Sequence, residues 1–185
     1  VPEGMFQFEL GVQTTDPSAQ EKIERKQNNK KLFTAIERLI KSNLIHIHCD
    51  LIFGLPGESL NDMLKSFEEV CMLRPHELQL GFLKFLPGSP IKKTIDEFGY
   101  KYQSTPPYEF ISNNDLSASQ LNYLKKFEDV FDIFYNSKRF RFTIQNLLKK
   151  LSAVDVFNTL LEHMESNDFF KQPNSLNIQY KIIHD

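Results

Sequence analysis

Two stretches of the chain carry polar groups at spacings that suit chemistry. In Ile45–Phe53, His46, His48, Asp50 and Ile52 alternate with Ile45, Ile47, Cys49, Leu51 and Phe53. Period two is the signature of a strand, so two imidazoles and a carboxylate share one face. Those groups are divalent-metal ligands, and a metal-dependent barrel hydrolase using His46 and His48 is one reading of them. A catalytic zinc usually takes three protein ligands, however, and His76, His163 and His184 do not fall at strand ends. Residues 5–13 alternate in the same way, with Phe6, Phe8, Leu10 and Val12 opposed to Gln7, Glu9, Gly11 and Gln13. Glu9, Gln13, His46, His48 and Asp50 are therefore expected to project into one concavity while Phe8, Leu10, Ile47 and Leu51 pack on helices. Taken singly, an inward Gln or Asp is a satisfied structural group, and Arg25 is one solvated charge in the run 21–26.

The elements that must hold these groups follow from caps and periodicity. Asp16-Pro17 starts a helix expected to run to about Arg25, and a second begins near Asn29 with Leu32, Phe33, Ile36, Leu39 and Ile40 on one stripe. Gly54-Leu55-Pro56-Gly57 ends the second strand, and Ser59 to Asp62 resembles a capping box before a helix to about Met72. A third strand is expected over 78–86, closed by Pro87-Gly88-Ser89-Pro90. Strand, helix, strand, helix, strand at intervals of about 35–40 residues is the βα repeat of a parallel sheet or barrel. A polar strand face argues against an open doubly wound sheet, which is apolar on both sides, and for a barrel with a polar cavity. The fold class is thus α/β, a half βα barrel over 1–98 followed by a mainly helical domain over 99–185. In the second part Ser117 caps a long helix with Leu121, Leu124, Phe127 or Glu128, Phe131 and Phe134 buried. Helices follow near 140–150 and 152–166, then a short strand with Ile178, Tyr180 and Ile182.

Glu9-Leu10-Gly11-Val12-Gln13, then Arg25, then Asp50 through Gly54-Leu55-Pro56-Gly57-Glu58 resemble the fourth and fifth strands of radical S-adenosylmethionine barrels. The likeness spans about residues 5–90 and is greatest to oxygen-independent coproporphyrinogen oxidases, methylthiotransferases and cobalamin-binding-type members of that family. The C-terminal region resembles an uncharacterised domain that follows the barrel in some cobalamin-binding-type proteins. The resemblance implies S-adenosylmethionine as cofactor, with Gln13 and Asp50 on its ribose, Arg25 on its methionyl carboxylate and Ile52 on its adenine. Glu9 is expected to accept from its ammonium or a ribose hydroxyl, and Gly54 to allow close backbone approach. These residue types suit the work, since a carboxylate accepts from hydroxyls and a guanidinium grips a carboxylate through parallel bonds. The family's three-cysteine loop, which ligates a 4Fe-4S cluster, has no match here. The parent protein is expected to cleave S-adenosylmethionine reductively and this chain alone to catalyse nothing. Cobalamin stays open as a further cofactor of the parent, and the substrate is not legible. The non-enzymatic alternative is a binding or scaffold module built on a barrel remnant.

Composition narrows the rest. A net charge of −2 gives no reason for nucleic-acid binding, and the basic-aromatic stretch Lys138 to Phe142 reads as a junction between helices. No apolar run approaches the ~20 residues of a membrane span, so a cytosolic location is expected. Cys49 and Cys71 fit no disulfide or metal spacing and read as buried and inert. Val1-Pro2-Glu3-Gly4 reads as loop material cut from a longer chain, whose open sheet edges favour self-association.

Overall fold

The computed structural model describes residues 2, 4–171 and 175–184, so the expected loop at the start of the chain lies partly outside them. The chain packs as two compact units, Val1–Asn122 and Tyr123–Asp185. The first is built on three parallel strands, β1 (Phe6–Gln13), β2 (Ile45–Phe53) and β3 (Glu77–Phe82), in the order β1-β2-β3. Between them run α1 (Pro17–Lys22), α2 (Asn29–Ser42) and α3 (Leu60–Cys71). Parallel neighbours joined by helical crossovers make a partial α/β barrel, with a mainly helical remainder.

The starts of the helices follow their caps. Asp16 accepts from Ala19 N with Pro17 at the first helical position, Asn28 accepts from Lys31 N, and Ser59 and Asp62 close a reciprocal capping box. Three ends differ from the sequence reading. Helix α1 stops at Lys22 rather than near Arg25, because Glu24 turns left-handed (φ 55°) and the amides of Arg25 and Glu24 bond back to Gln20 and Glu21. Strand β3 stops at Phe82 rather than residue 86. Beyond it the chain pairs with 108–110 instead, with Phe85 N donating to Tyr108 O and Phe110 N to Leu83 O. That segment belongs to an irregular stretch holding α4 (Ile95–Phe98) and a two-stranded hairpin, β4 (Lys101–Tyr102) and β5 (Phe110–Ser112), which lack enough alternation to announce themselves. The tail expected as a strand is helix α8 (Leu176–His184): Ile178 and Ile182 stand four apart, the helical spacing, and Tyr180 is exposed.

Alternation along β2 sets its two faces. Ile47, Cys49, Leu51 and Phe53 are buried, while His46, His48, Asp50 and Ile52 on the other face are partly open. Helices α2 and α3 pack against β2, and Ile36, Met63, Phe67, Val70 and Cys71 are buried with it. Burial pushes the Cys49 thiol up to about 12 and raises that of Cys71 as well, consistent with inert packing residues. Phe8 departs from expectation. It is 40 % exposed, beside exposed Met5 and Phe6.

The second unit contains the end of α5 (Ala118–Phe131), which continues as a π-helical turn (Asp132–Asn136), then α6 (Arg141–Leu147), α7 (Ala153–Ser166) and α8. Its core is aromatic, with Phe131 stacked on Tyr135 and edge-on to Phe157. The stripe Leu124, Phe127, Phe131, Phe134 is buried as read from sequence. Lys138 to Phe142 is a junction between helices, in which Phe140 is buried and Arg139 donates to Gln179.

Candidate functional site

Register assembles the polar face of the sheet. Gln7 lies beside His46, Glu9 beside His48 and His48 beside Glu77, Gly11 beside Asp50 and Asp50 beside Gln79, and Ile52 beside Gly81. In-register neighbours project to the same side, so Glu9, His46, His48, Asp50 and Ile52 share one surface. Gln13 reaches it by a different route from simple alternation. The pairing slips between Gly11 and Gln13, Gln13 takes φ 67°, and Thr14 N donates back to Val12 O, a γ-turn of the rare left-handed kind. The side chain then folds back over Gly11, where a Cβ would stand 2.5 Å from Gln13 Nε2. Since Gly11 neighbours Asp50, the Gln13 amide lies on the Asp50 side of the sheet.

Asp50 is the electrostatic centre of this face. Burial raises its carboxyl above the usual range, His48 opposes that shift, and Glu9 and Glu77 add to it. His48 Nε2 and Asp50 Oδ1 lie 3.1 Å apart without an aligned hydrogen bond, and both atoms are buried with no hydrogen-bond partner among the described residues. His46 faces Glu77 at 3.7 Å and stacks obliquely on His76. Among the described residues no group of three His, Cys, Asp or Glu side chains is placed to hold a metal ion, so the hydrolase reading of His46 and His48 lacks its site.

Arg25 is held rather than solvated. It donates from Nη2 to the carbonyl of Gly11 and from Nε to Gln27 Oε1, which uses two of its five donors. Gly54 has φ 90°, its carbonyl accepts from Tyr100 OH, and any Cβ there would overlap the Phe110 ring. Packing therefore demands glycine at 54 irrespective of a ligand. Gly81 stands in register with Ile52, so β3 sets no side chain beside it, and a Cβ at Gly81 would meet only the Leu51 carbonyl at 3.4 Å.

Sequence reasoning passed over a second polar cluster just behind β1. Thr14, Thr15, Gln20, Glu58 and Ser66 are all buried. Thr15 donates through N and Oγ1 to Ser66 Oγ, Ser66 lies 3.3 Å from Thr14 Oγ1, and Thr14 donates to Glu58 Oε1. Gln20 and Gln27 donate to the Thr14 carbonyl. Burial holds the Glu58 carboxyl up at about 8, with Asp16 and Asp62 adding to the shift and the Thr14 bond opposing it. The available signal was Glu58 itself, an acid directly after the glycine turn.

Residues 2–70 match the Radical SAM superfamily, and residues 96–185 match a family described as Protein of unknown function (DUF4080). Over these residues the chain is similar to radical SAM proteins of the oxygen-independent coproporphyrinogen oxidase-like kind. It is 36 % identical over 125 residues to the heme chaperone HemW of Buchnera aphidicola subsp. Acyrthosiphon pisum, covering 66 % of this chain and 30 % of the relative. It is 28 % identical over 94 residues to the oxygen-independent coproporphyrinogen III oxidase of Thermostichus vulcanus, covering 50 % and 29 %. The solved coproporphyrinogen III oxidase (HemN) of Escherichia coli aligns over 53 % of this chain and 28 % of its own, with 21 % identity and a TM-score of 0.42. The chain thus spans less than a third of each of these relatives, and none of them supports cobalamin as a cofactor.

Proposed function

We propose that the polar face of the three-stranded sheet is the adenosyl-binding wall of a radical S-adenosylmethionine enzyme, of which this chain is a part. The observation that carries the reading is Asp50. Its partly buried carboxyl, whose Oδ1 faces His48 Nε2 at 3.1 Å but makes no hydrogen bond among the described residues, stands near the C-terminal end of the middle strand, on the side to which Gln13 folds and near Ile52. Ligands of parallel α/β folds gather at such strand ends. Asp50 accepts from one ribose hydroxyl, the Gln13 amide serves the other, and Ile52 lies against adenine. Glu9 accepts from the ammonium or a hydroxyl, and Gly54 ends β2 so that its turn follows the cofactor. Arg25 keeps three donors for the methionyl carboxylate while one holds the Gly11 carbonyl of β1 and one holds Gln27.

The parent enzyme cleaves S-adenosylmethionine reductively to a 5′-deoxyadenosyl radical that takes hydrogen from its substrate. A 4Fe-4S cluster supplies the electron, and the two cysteines present here do not fit it, being buried and far apart in sequence. By itself the chain is inactive. Both kinds of relative are named for tetrapyrroles, heme and coproporphyrinogen, so a tetrapyrrole is the first substrate class to test.

Calorimetry on the full-length protein with its cluster reconstituted tests the assignment. Asp50→Ala and Gln13→Ala should each weaken S-adenosylmethionine binding by about tenfold or more, and the 185-residue chain should bind in the millimolar range. Unchanged affinity in both variants, with cleavage intact, discards these residues while leaving the family standing.

A further inference from the structure

The turn at Gln13 is strained. A non-glycine residue at φ 67° persists only where its surroundings over-determine it. Here the restraints converge on one residue, Thr14. Its amide bonds to Val12 O, its carbonyl accepts from Gln20 and Gln27, and its hydroxyl accepts from Asp16 N and donates to Glu58. Glu58 follows the glycine turn that ends β2 and precedes the Ser59 cap of α3, so this one hydrogen bond ties the end of β1 to the end of β2.

We propose that Glu58 is a positioning residue: through Thr14 its buried carboxyl holds the reversed turn at Gln13 and so aims the Gln13 amide across the face that carries Asp50. The inference rests on the adenosyl-binding reading above. The polarity of the network fits it, because Thr15 donates to Ser66 and Thr14 donates to Glu58, so the carboxyl is the terminal acceptor. Its second oxygen, Oε2, is buried without a hydrogen-bond partner among the described residues, a position that suits an oxygen bearing the proton and not one bearing charge. The ionisable groups that face it are Asp16 at the start of α1, Asp62 in the first turn of α3, Tyr100, and Lys22, whose Nζ lies against Gly57. Asp16 and Asp62 are acidic, so both disfavour loss of that proton. Ionised Glu58 would be a buried charge that the Thr14 bond and the Leu55 backbone bond do not offset, since burial still holds its carboxyl well above the usual carboxylate range. The turn would then relax, and the Gln13 contribution to binding would go with it.

The probe is 5′-methylthioadenosine, which has the ribose and adenine of the cofactor and no group that titrates between pH 6 and 9. Its affinity for the 185-residue chain is read by ligand-observed NMR titration across that range. The unaltered chain should hold its affinity up to about pH 8 and weaken roughly tenfold over the next pH unit, as the competent population falls. Glu58→Gln should bind as the unaltered chain does at pH 7 and keep that affinity at pH 9. Thr14→Val, an isostere that deletes the hydroxyl without opening a cavity, should weaken binding about tenfold at every pH. If Glu58 and Thr14 act through Gln13, Thr14→Val should add nothing to Gln13→Ala, whereas a general loss of structure would add in full. Flat affinity of the unaltered chain up to pH 9, or an additive double variant, overturns the inference alone. Failure of the unaltered chain to bind at any pH overturns the adenosyl-binding reading and this inference with it.

Discussion

Glu58 should make the first unit lose stability as the solution becomes more alkaline, in a way that one substitution removes. In the unfolded chain its carboxyl titrates near 4.5, and in the folded protein near 8. Between those values the folded state holds a proton that the unfolded state releases. A group raised on folding stabilises fully below the unfolded value, and that stabilisation is lost as pH rises through the folded one. The separation from 4.5 to about 8, at ~1.36 kcal/mol per pH unit, amounts to about 5 kcal/mol between mild acid and pH 8, with little further change above. That is as large as the whole stability of many small domains. Asp62 runs oppositely: its hydrogen bonds with Ser59 depress its carboxyl, so its contribution is lost only as pH falls below the ordinary carboxylate range. Asp50 is raised and follows Glu58 in sign, so the comparison must be made against a variant that changes Glu58 alone. Glu58→Gln keeps an oxygen for the Thr14 hydroxyl and has nothing to ionise. Urea titrations at each pH from 5 to 9, followed by far-ultraviolet circular dichroism, should show the unaltered first unit weakening steeply to pH 8 while the variant changes far less. Parallel curves for the two proteins would refute the argument that Glu58 is buried with its proton.

Gly54→Ala should destabilise the first unit by roughly 2–5 kcal/mol, since the new methyl group meets both an unfavourable φ of 90° and the buried Phe110 ring. A drop in the urea midpoint equivalent to less than ~1 kcal/mol would mean that the ring moves aside freely. Ser59→Ala should cost about 1 kcal/mol through loss of the α3 capping box, measurable in the same titrations, and no change would show the box to be dispensable. The edge of β1 that is unpaired among the described residues, with Phe6 45 % and Phe8 40 % exposed, should drive concentration-dependent self-association that Phe8→Glu suppresses. Sedimentation velocity showing a monomer across the accessible concentration range counts against that edge as a sticky surface.

Legibility from sequence tracked whether the signal was periodic. β1 and β2 were readable because residues of one face recur every second position, and that periodicity placed Glu9, His48 and Asp50 on a common surface before any coordinates. The caps at Asp16, Asn28 and Ser59 were readable because a single side chain does the work locally. The hairpin of β4 and β5 was not, since two- and three-residue strands carry too few positions for a period, and their pairing is decided by Leu83 and Phe85 far upstream. The tail misread as a strand shows the same limit from the other side: Ile178, Tyr180 and Ile182 fit period two as well as Ile178 and Ile182 fit a helix, and burial of Gln179 and Ile182 arbitrates.

The harder failure concerns Glu58, and it bears on how sites of this kind are built. Asp50 and Glu58 are both carboxyls raised by burial, eight positions apart along the chain, yet their surroundings separate their roles. Asp50 stands on the open face between strands, where a ligand's hydroxyls can supply what its neighbours do not. Glu58 lies behind the same strand ends, 1 % exposed, where only protein reaches it. Residue type and spacing identify the first kind, because a polar group on a strand face breaks a pattern of apolar neighbours. The second breaks no pattern: an acid after a glycine turn and before a helix cap looks like a solvated loop residue. Only the tertiary arrangement brings Thr14 and Ser66, 44 and 8 positions away, into one network with it. The residues proposed to touch a ligand can thus be read from local sequence more readily than the residue proposed to hold them in register. Variants of Glu58 and Thr14 therefore probe the fold's contribution to the site in a way that substitutions at Asp50 or Gln13 cannot.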